Sequence, residues 1–331
     1  MVKSEMRRTA EKIGYAMIIY LVVTFAVEFI IMFVYAFAAA FFMALKGEGT
    51  VNPADMMAGM QNGWVLLITS VIASYVAAPL AAYLFLRKQP SVTPEKRPLS
   101  VKDILLCAAV SLGAIYAFGY VSEGILWLTG KLFGMTTEQL NAVNALSESF
   151  TIPQYILMVC ICAPIVEELF FRGFIIKKML IHGRFAALLV SATAFGFVHG
   201  TLSQIPYALV LGFVLGYIYL RYGNILLNIF LHMLMNFIGG VLVIVLPEND
   251  ITGIALTVFS ILLIIAAIVI VVSKRKEIKS FVFGDKVTKM NTSEQFKESI
   301  LNIGMILFVL LCLAVMIFSL FSMVLSSKLM A

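Results

Sequence analysis

Apolar residues dominate this chain in runs of about 20, and short polar stretches separate the runs. A helix of about 20 apolar residues crosses a hydrocarbon core of roughly 30 Å. The first run is too long for the apolar region of a signal peptide, so it is predicted to be an uncleaved membrane helix. The pattern predicts an all-α, polytopic transmembrane helical bundle with about eight to nine spans. The candidate spans are 14–45, 63–86, 104–129, 153–180, 185–199, 205–220, 225–247, 251–273 and 300–326.

The polar stretches alternate between basic and neutral or acidic along the chain. The N-terminal tail is basic, and so are the stretches after the second, fourth, sixth and eighth candidate spans. Because Lys and Arg collect in cytoplasmic loops, the alternation predicts a cytoplasmic N-terminus and a C-terminus on the other side. We expect the protein in the plasma membrane. The basic residues are Lys3, Arg7, Arg8, Lys12, Arg87, Lys88, Lys96, Arg97, Lys102, Lys177, Lys178, Arg184, Arg221, Lys274, Arg275, Lys276 and Lys279.

Two basic linkers divide the chain. The Pro-rich linker at 87–103 follows the second candidate span, and the polar linker at 274–299 precedes the last one. The predicted organisation has three parts. They are an N-terminal pair of spans with its linker (1–103), a catalytic membrane core (104–273), and a basic linker with a C-terminal membrane helix (274–331).

Composition supports a membrane protein. Hydrophobic residues make up 62% of the chain and charged residues 13%, against about half and a quarter in soluble domains. The net charge of +6 lies in short loops beside apolar runs, so we assign it to topology and expect no nucleic-acid partner. Gly212 and Gly216 form a G-x-x-x-G in the sixth span, which suggests close helix packing. The cysteines are expected to be buried free thiols, namely Cys107, Cys160, Cys162 and Cys312.

Few ionisable side chains lie inside the candidate spans, where they are costly to bury and usually functional. Glu168 and Arg172 are four residues apart with the acid nearer the N-terminus, which favours an ion pair on a helix. Glu167 points about 100° away from Glu168 and is left without such a partner. The spacing predicts a structural ion pair for Glu168 and Arg172 and a catalytic role for Glu167. Glu28 and Glu123 are expected to be structural or interfacial.

Two further pairs have a helical spacing of four residues, Phe195 with His199 and His232 with Asn236. Taken alone, each fits a satisfied core histidine or a hydrogen bond between helices. At a rise of about 1.5 Å per residue from the predicted cytoplasmic ends, Glu167 and His199 lie roughly 20 Å deep, His232 roughly 10 Å and Asn236 roughly 16 Å. These similar depths on three helices predict that the four side chains converge on one polar cavity.

Such a cavity suits amide hydrolysis. A buried carboxylate can accept a proton from water and so make a nucleophile. His232 and Asn236, on one helix face, can donate hydrogen bonds to a developing oxyanion. A second histidine, His199, can hold the water or protonate the leaving amine.

These motifs resemble those of the CPBP intramembrane proteases, the family of type II CAAX prenyl endopeptidases and Abi-type bacteriocin-processing or immunity proteins. The motifs read EELFFR at 167–172, FGFVH at 195–199 and HMLMN at 232–236, and the resemblance covers about residues 150–240. It implies a helical membrane fold whose active site opens toward the cytosol. It also implies that Glu167 activates water and that Glu168 and Arg172 support it.

Metal dependence is left open by the resemblance, because the family has been labelled metalloprotease and a metal-free glutamate mechanism is also argued for it. The H-E-x-x-H spacing of many zinc proteases is absent from the chain. We therefore assign no cofactor from the sequence. A zinc ion, if one is used, would be held by Glu167, His199 and His232.

Three functions could use these residues. The first is an intramembrane endopeptidase that resembles the CAAX proteases. The second is a non-catalytic immunity or partner-binding protein on the same scaffold, and the third is a transporter or proton channel. The expected partners are membrane lipid and a membrane-associated peptide or protein substrate.

Overall fold

Helices are the only regular structure in the part of the chain that the computed structural model describes, residues 2–45, 53–247, 249–285, 287 and 290–330. The predicted all-α membrane bundle is confirmed. In chain order the helices are α1 (Val2–Leu45), α2 (Pro53–Met60), α3 (Gly63–Leu86), α4 (Val101–Phe133), α5 (Thr137–Leu140), α6 (Ala142–Ser149), α7 (152–182), α8 (Arg184–Val198), α9 (Ile205–Tyr222), α10 (Ile225–Val245), α11 (Asp250–Ser273), α12 (Arg275–Phe283), α13 (Thr292–Ile300) and α14 (Ile303–Met330).

Every candidate span falls on a helix, but the spans differ in character. By length and composition, seven of the described helices can cross a membrane, namely α1, α3, α4, α9, α10, α11 and α14. Helix α8 is apolar but only 15 residues long. Helix α7 carries two glutamates and an arginine and changes repeatedly between α and π geometry. The count of about eight to nine therefore includes two segments that hydropathy and length alone would not accept.

The second linker is more structured than the sequence suggested. The first makes a turn after α3 and has no regular secondary structure up to Val101, where α4 begins with a capping box between Ser100 and Asp103. The second, predicted as a polar linker, forms helices α12 and α13. Its apolar side chains explain the difference, since Phe281 and Val282 near the end of α12 are buried against the bundle.

Small residues allow the closest helix crossings. A Cβ added to Gly212 would lie 2.8 Å from the Ala192 Cα atom, and one added to Gly216 would lie 2.9 Å from Leu188 Cδ2. The close packing suggested by the G-x-x-x-G motif is therefore confirmed, between α9 and α8. Gly14 of α1 and Gly304 of α14 meet even more tightly, because a Cβ on Gly14 would overlap the backbone of Gly304.

The basic loops meet at one end of the bundle, which we call the basic end. The Lys178 ammonium donates to the Gln89 carbonyl at 2.5 Å, and Arg221 pairs with Glu277 at 2.5 Å. The Phe281 ring lies under three guanidinium groups, at 4.3–5.9 Å from the ring centre, which belong to Arg97, Arg184 and Arg221. These contacts join loops that are far apart in sequence, so the basic end is one continuous surface.

Candidate active site

Helix α7 points two neighbouring glutamates in different directions. Glu167 ends a short α segment, and Glu168 begins the π segment Glu168–Ile176. Glu168 is fully buried, whereas Glu167 lines the main cavity and keeps 16% of its side chain exposed. π segments are rare and often occur at functional sites. One carboxylate is thus enclosed by protein, and the other is accessible from the cavity.

Glu168 accepts hydrogen bonds from three side chains. The Arg172 guanidinium donates to Oε1 at 2.7 Å, with both side chains fully buried. Asn228 Nδ2 donates to Oε2 at 3.2 Å. His232 Nδ1 donates to Oε1 at 2.9 Å. The ion pair predicted from the spacing of Glu168 and Arg172 is present, and it belongs to a larger buried network.

This network orients the His232 ring. A carboxylate can only accept, so the Nδ1 atom that faces Glu168 carries a proton. The other ring nitrogen, Nε2, points toward the cavity and lies 3.8 Å from Glu167 Oε2. That distance is too long for a direct hydrogen bond, which leaves both atoms available to a third group placed beside them.

His199 is held from one side in the same way. It follows the last turn of α8, and its Nδ1 atom donates to the Phe195 carbonyl at 2.7 Å. The Phe195 ring packs edge-on against both imidazoles, with ring centres 5.0 Å from His199 and 5.8 Å from His232. Arg172 lies over the same ring at 4.4 Å. Contact with the Phe195 ring therefore fixes the distance between the two imidazole rings.

Asn236 reaches from α10 to a carbonyl that α7 leaves without a helical partner. Pro164 has no N–H, and the Ala163 N–H donates to Met158. The Val159 carbonyl accepts from Asn236 Nδ2 at 2.7 Å instead. One amide hydrogen of Asn236 is thus used to hold two helices together, and the second hydrogen and the carbonyl oxygen are left for other contacts.

A cavity of about 870 Å³ brings the four predicted catalytic residues together. Glu167, His199, His232 and Asn236 all line it, while Glu168 and Arg172 lie behind its wall. Helices α1, α3, α4 and α14 complete the wall opposite these residues. A cavity of this size holds an extended peptide of several residues, within the range of ordinary ligand sites.

The donors at this cavity do not form a three-ligand metal site. Within the described part of the chain, no three His, Cys, Asp or Glu side chains converge closely enough to hold a metal ion. Glu167, His199 and His232 share the cavity wall without meeting at one point.

Sequence reasoning missed Asn228. Its side chain is fully buried and bridges Glu168 to the Leu215 carbonyl, with Nδ2 donating to that oxygen at 2.7 Å. The available signal was its spacing, because Asn228, His232 and Asn236 recur at intervals of four on α10. Three polar residues on one helix face indicate a longer polar stripe than the last two alone.

Comparison with known proteins agrees with this geometry. Residues 149–238 match the family model described as "Type II CAAX prenyl endopeptidase Rce1-like". This stretch of the chain is similar to the Rce1-like family. It begins in the last turn of α6 and ends just after Asn236, so it holds all six predicted site residues. The resemblance inferred from the motifs over about 150–240 is confirmed.

A curated relative extends the match. The protein named "Putative membrane peptidase YdiL" of Bacillus subtilis is 28% identical to this chain over 167 residues, which cover 50% of this chain and 67% of the relative. No solved structure matches the chain. The family match and this relative support a membrane peptidase similar to the CAAX proteases, in an integral membrane protein.

Proposed function

We propose that this protein is an intramembrane endopeptidase in which Glu167 activates the attacking water. The observation that carries the proposal is the meeting of Glu167, His199, His232 and Asn236 at one cavity wall, backed by the buried Glu168–Arg172 pair. The family match supports the reaction class. The substrates are membrane-associated peptides or proteins.

The reaction begins with a water held between Glu167 and the histidines. Glu167 removes one proton as the water oxygen bonds to the peptide carbonyl carbon. The unprotonated Nε2 of His199 accepts the second hydrogen of the water and so orients it. Water is thereby converted to a nucleophile without a covalent enzyme intermediate.

The tetrahedral oxyanion is stabilised from α10. His232, when protonated, donates from Nε2 while its Nδ1 stays bound to Glu168. The second amide hydrogen of Asn236 donates beside it. Donors held in place before the reaction stabilise such an oxyanion by several kcal/mol. Glu167 then passes its proton to the leaving nitrogen, and the C–N bond breaks to give a new carboxyl and a new amine.

The test compares Glu167→Gln with wild type in detergent, using an internally quenched peptide library with and without a chelator. General base catalysis contributes about 10²–10⁴-fold, so kcat should fall by at least about 100-fold in the variant while its thermal unfolding stays unchanged. Glu95→Gln, an exposed loop variant, serves as the matched control and should cleave like wild type.

Two outcomes would contradict the proposal. If Glu167→Gln cleaves at the wild-type rate, Glu167 is not the base. If neither protein cleaves any peptide, the scaffold is non-catalytic or transports a solute. A chelator that abolishes wild-type cleavage would instead assign a metal to the site.

A further inference from the structure

The cavity lies at the end of the bundle that is far from the basic loops. Helix α8 begins at Arg184 on the basic end and carries His199 about 22 Å away. On α4 the lining residues run from Ile115 to Glu123, all beyond the first three turns of a helix that also begins at the basic end. The segment that joins α8 to α9 contributes Thr201 and Gln204 to the wall.

Toward the basic end the cavity is closed by packed side chains. Glu168 and Arg172 form the first buried layer. Ile175, Ile176 and Met179 continue along α7 without exposed surface. A peptide cannot pass this layer without unpacking the core. The half-buried residues at the other end, such as Asn141 and Gln204, line the cavity where it approaches the surface.

We infer that the active-site cavity receives its substrate from the extracytoplasmic side of the membrane. The basic end is cytoplasmic by the positive-inside rule, so the opposite, accessible end faces outward. This differs from the cytosolic opening that the family resemblance implied. The inference rests on the proposed function. The substrate is then a polypeptide whose cleaved bond has already crossed to the outer leaflet.

The side chains of the cavity wall also indicate which charge the substrate segment carries. Among the described residues that line the cavity, the acidic side chains are Glu28, Glu123 and Glu167, and no Lys or Arg is present. Beside Glu123, the Ser122 hydroxyl is buried, with 3% of the residue exposed, and has no hydrogen-bond partner. A wall with acidic and no basic side chains favours a segment that carries Lys or Arg over one that carries Asp or Glu.

Sidedness is tested with full-length protein in sealed membranes and a quenched, membrane-impermeant peptide that contains lysine. We expect cleavage with right-side-out vesicles and with detergent-solubilised protein, and none with sealed inverted vesicles. Cleavage confined to inverted vesicles would overturn the inference. Absence of cleavage in all three preparations, detergent included, would contradict the proposed peptidase function instead.

Orientation is checked independently by labelling cells with an impermeant maleimide. Glu148→Cys, exposed near the accessible end, should be labelled in intact cells. Lys88→Cys, exposed at the basic end, should be labelled only after permeabilisation. The reverse pattern would place the cavity on the cytoplasmic side and overturn the inference even if the peptide is cleaved.

Charge preference is tested with three peptides that differ only in a Lys, Gln or Glu near the cleaved bond. The Lys peptide should exceed the Glu peptide in kcat/KM. The Glu123→Gln variant should lose about fivefold on the Lys peptide, the value of one partly exposed ion pair, and less than that on the Gln peptide. Equal rates for all three peptides with wild type would contradict the role of the acidic wall.

Discussion

A fully buried carboxylate stays ionised only if its neighbours replace the hydration it has lost. Glu168 receives hydrogen bonds from Arg172, Asn228 and His232, and the same bonds orient the imidazole that faces the cavity. The side chain that never touches the cavity therefore sets the geometry of the one that does. One hydrogen-bond network therefore both stabilises the buried Glu168 charge and orients the His232 ring.

Replacing Arg172 by Met should destabilise the protein strongly. Breaking a buried ion pair by removing one partner costs about 3–5 kcal/mol, because the other charge is left unpaired. We expect a clearly lower unfolding temperature in detergent, and partial recovery in the double variant Arg172→Met/Glu168→Gln. Lys3→Met, which removes an exposed partner of Glu294, is the control and should unfold like wild type.

An unfolding temperature no lower than that of Lys3→Met would contradict a stabilising role for the Glu168–Arg172 pair.

Asn228 should act as a positioning residue. A hydrogen bond to a charged group is worth about 1.5–3 kcal/mol, so Asn228→Ala should lower kcat about tenfold with KM unchanged, because Glu168, the anchor of the His232 ring, loses one of its donors. Asn224→Ala removes the N-terminal cap of the same helix and should cost about 1 kcal/mol of stability without changing kcat. A purely structural role for Asn228 would make the two variants behave alike.

The π segments of α7 determine how the site residues of α7 and α10 are placed. The π segment Ile156–Cys162 ends just before Pro164, and the carbonyl freed there binds Asn236. The next π segment starts at Glu168. A regular helix through the same residues would supply a backbone N–H to the Val159 carbonyl. Asn236 would then lose this hydrogen bond, and α10 would not be held at this depth.

Pro164→Ala should separate stability from activity. The new N–H would lie within reach of the Val159 carbonyl and compete with Asn236. Proline inside a helix costs about 3 kcal/mol, so the unfolding temperature should not fall, while kcat should drop about tenfold. Pro206→Ala, in the first turn of α9 where proline is tolerated, should change neither quantity. Equal kcat values for the two variants would contradict this coupling.

The crossing of α1 and α14 tolerates no side chain. Gly304→Leu would force the two backbones apart, and overpacking of this kind costs about 1–3 kcal/mol or more. A lower unfolding temperature in detergent is expected. Gly253→Leu is the matched control, since a Cβ there meets no atom within 4 Å. Similar unfolding temperatures for both variants would show that the crossing is not tight.

At the scale of the whole molecule, hydropathy and charge alternation were enough to predict the bundle and the position of every long helix. The depth argument, together with motif spacing, grouped Glu167, His199, His232 and Asn236. The rest depends on contacts between distant segments. The π geometry of α7, the burial of Phe281 that folds the second linker into helices, and the part played by Asn228 have no signal in local periodicity.

The direction in which the cavity opens is also a property of the whole bundle. Each helix alone is compatible with access from either end. The packed layer from Glu168 to Met179 on one side and the half-buried Asn141 and Gln204 on the other distinguish the two ends. Motifs shared with a family cannot supply this information, because they specify the reactive atoms and not the path to them.

Helix α14 contributes Cys312, Val315 and Ser319 to the cavity wall, although it follows all the reactive residues in the chain. During synthesis, a ribosome that has passed Asn236 has made the whole reactive set but not this wall. With the proposed catalytic role, these residues enter the membrane before their enclosure is complete. We expect hydrolysis only after α14 has packed against α1 at Gly14.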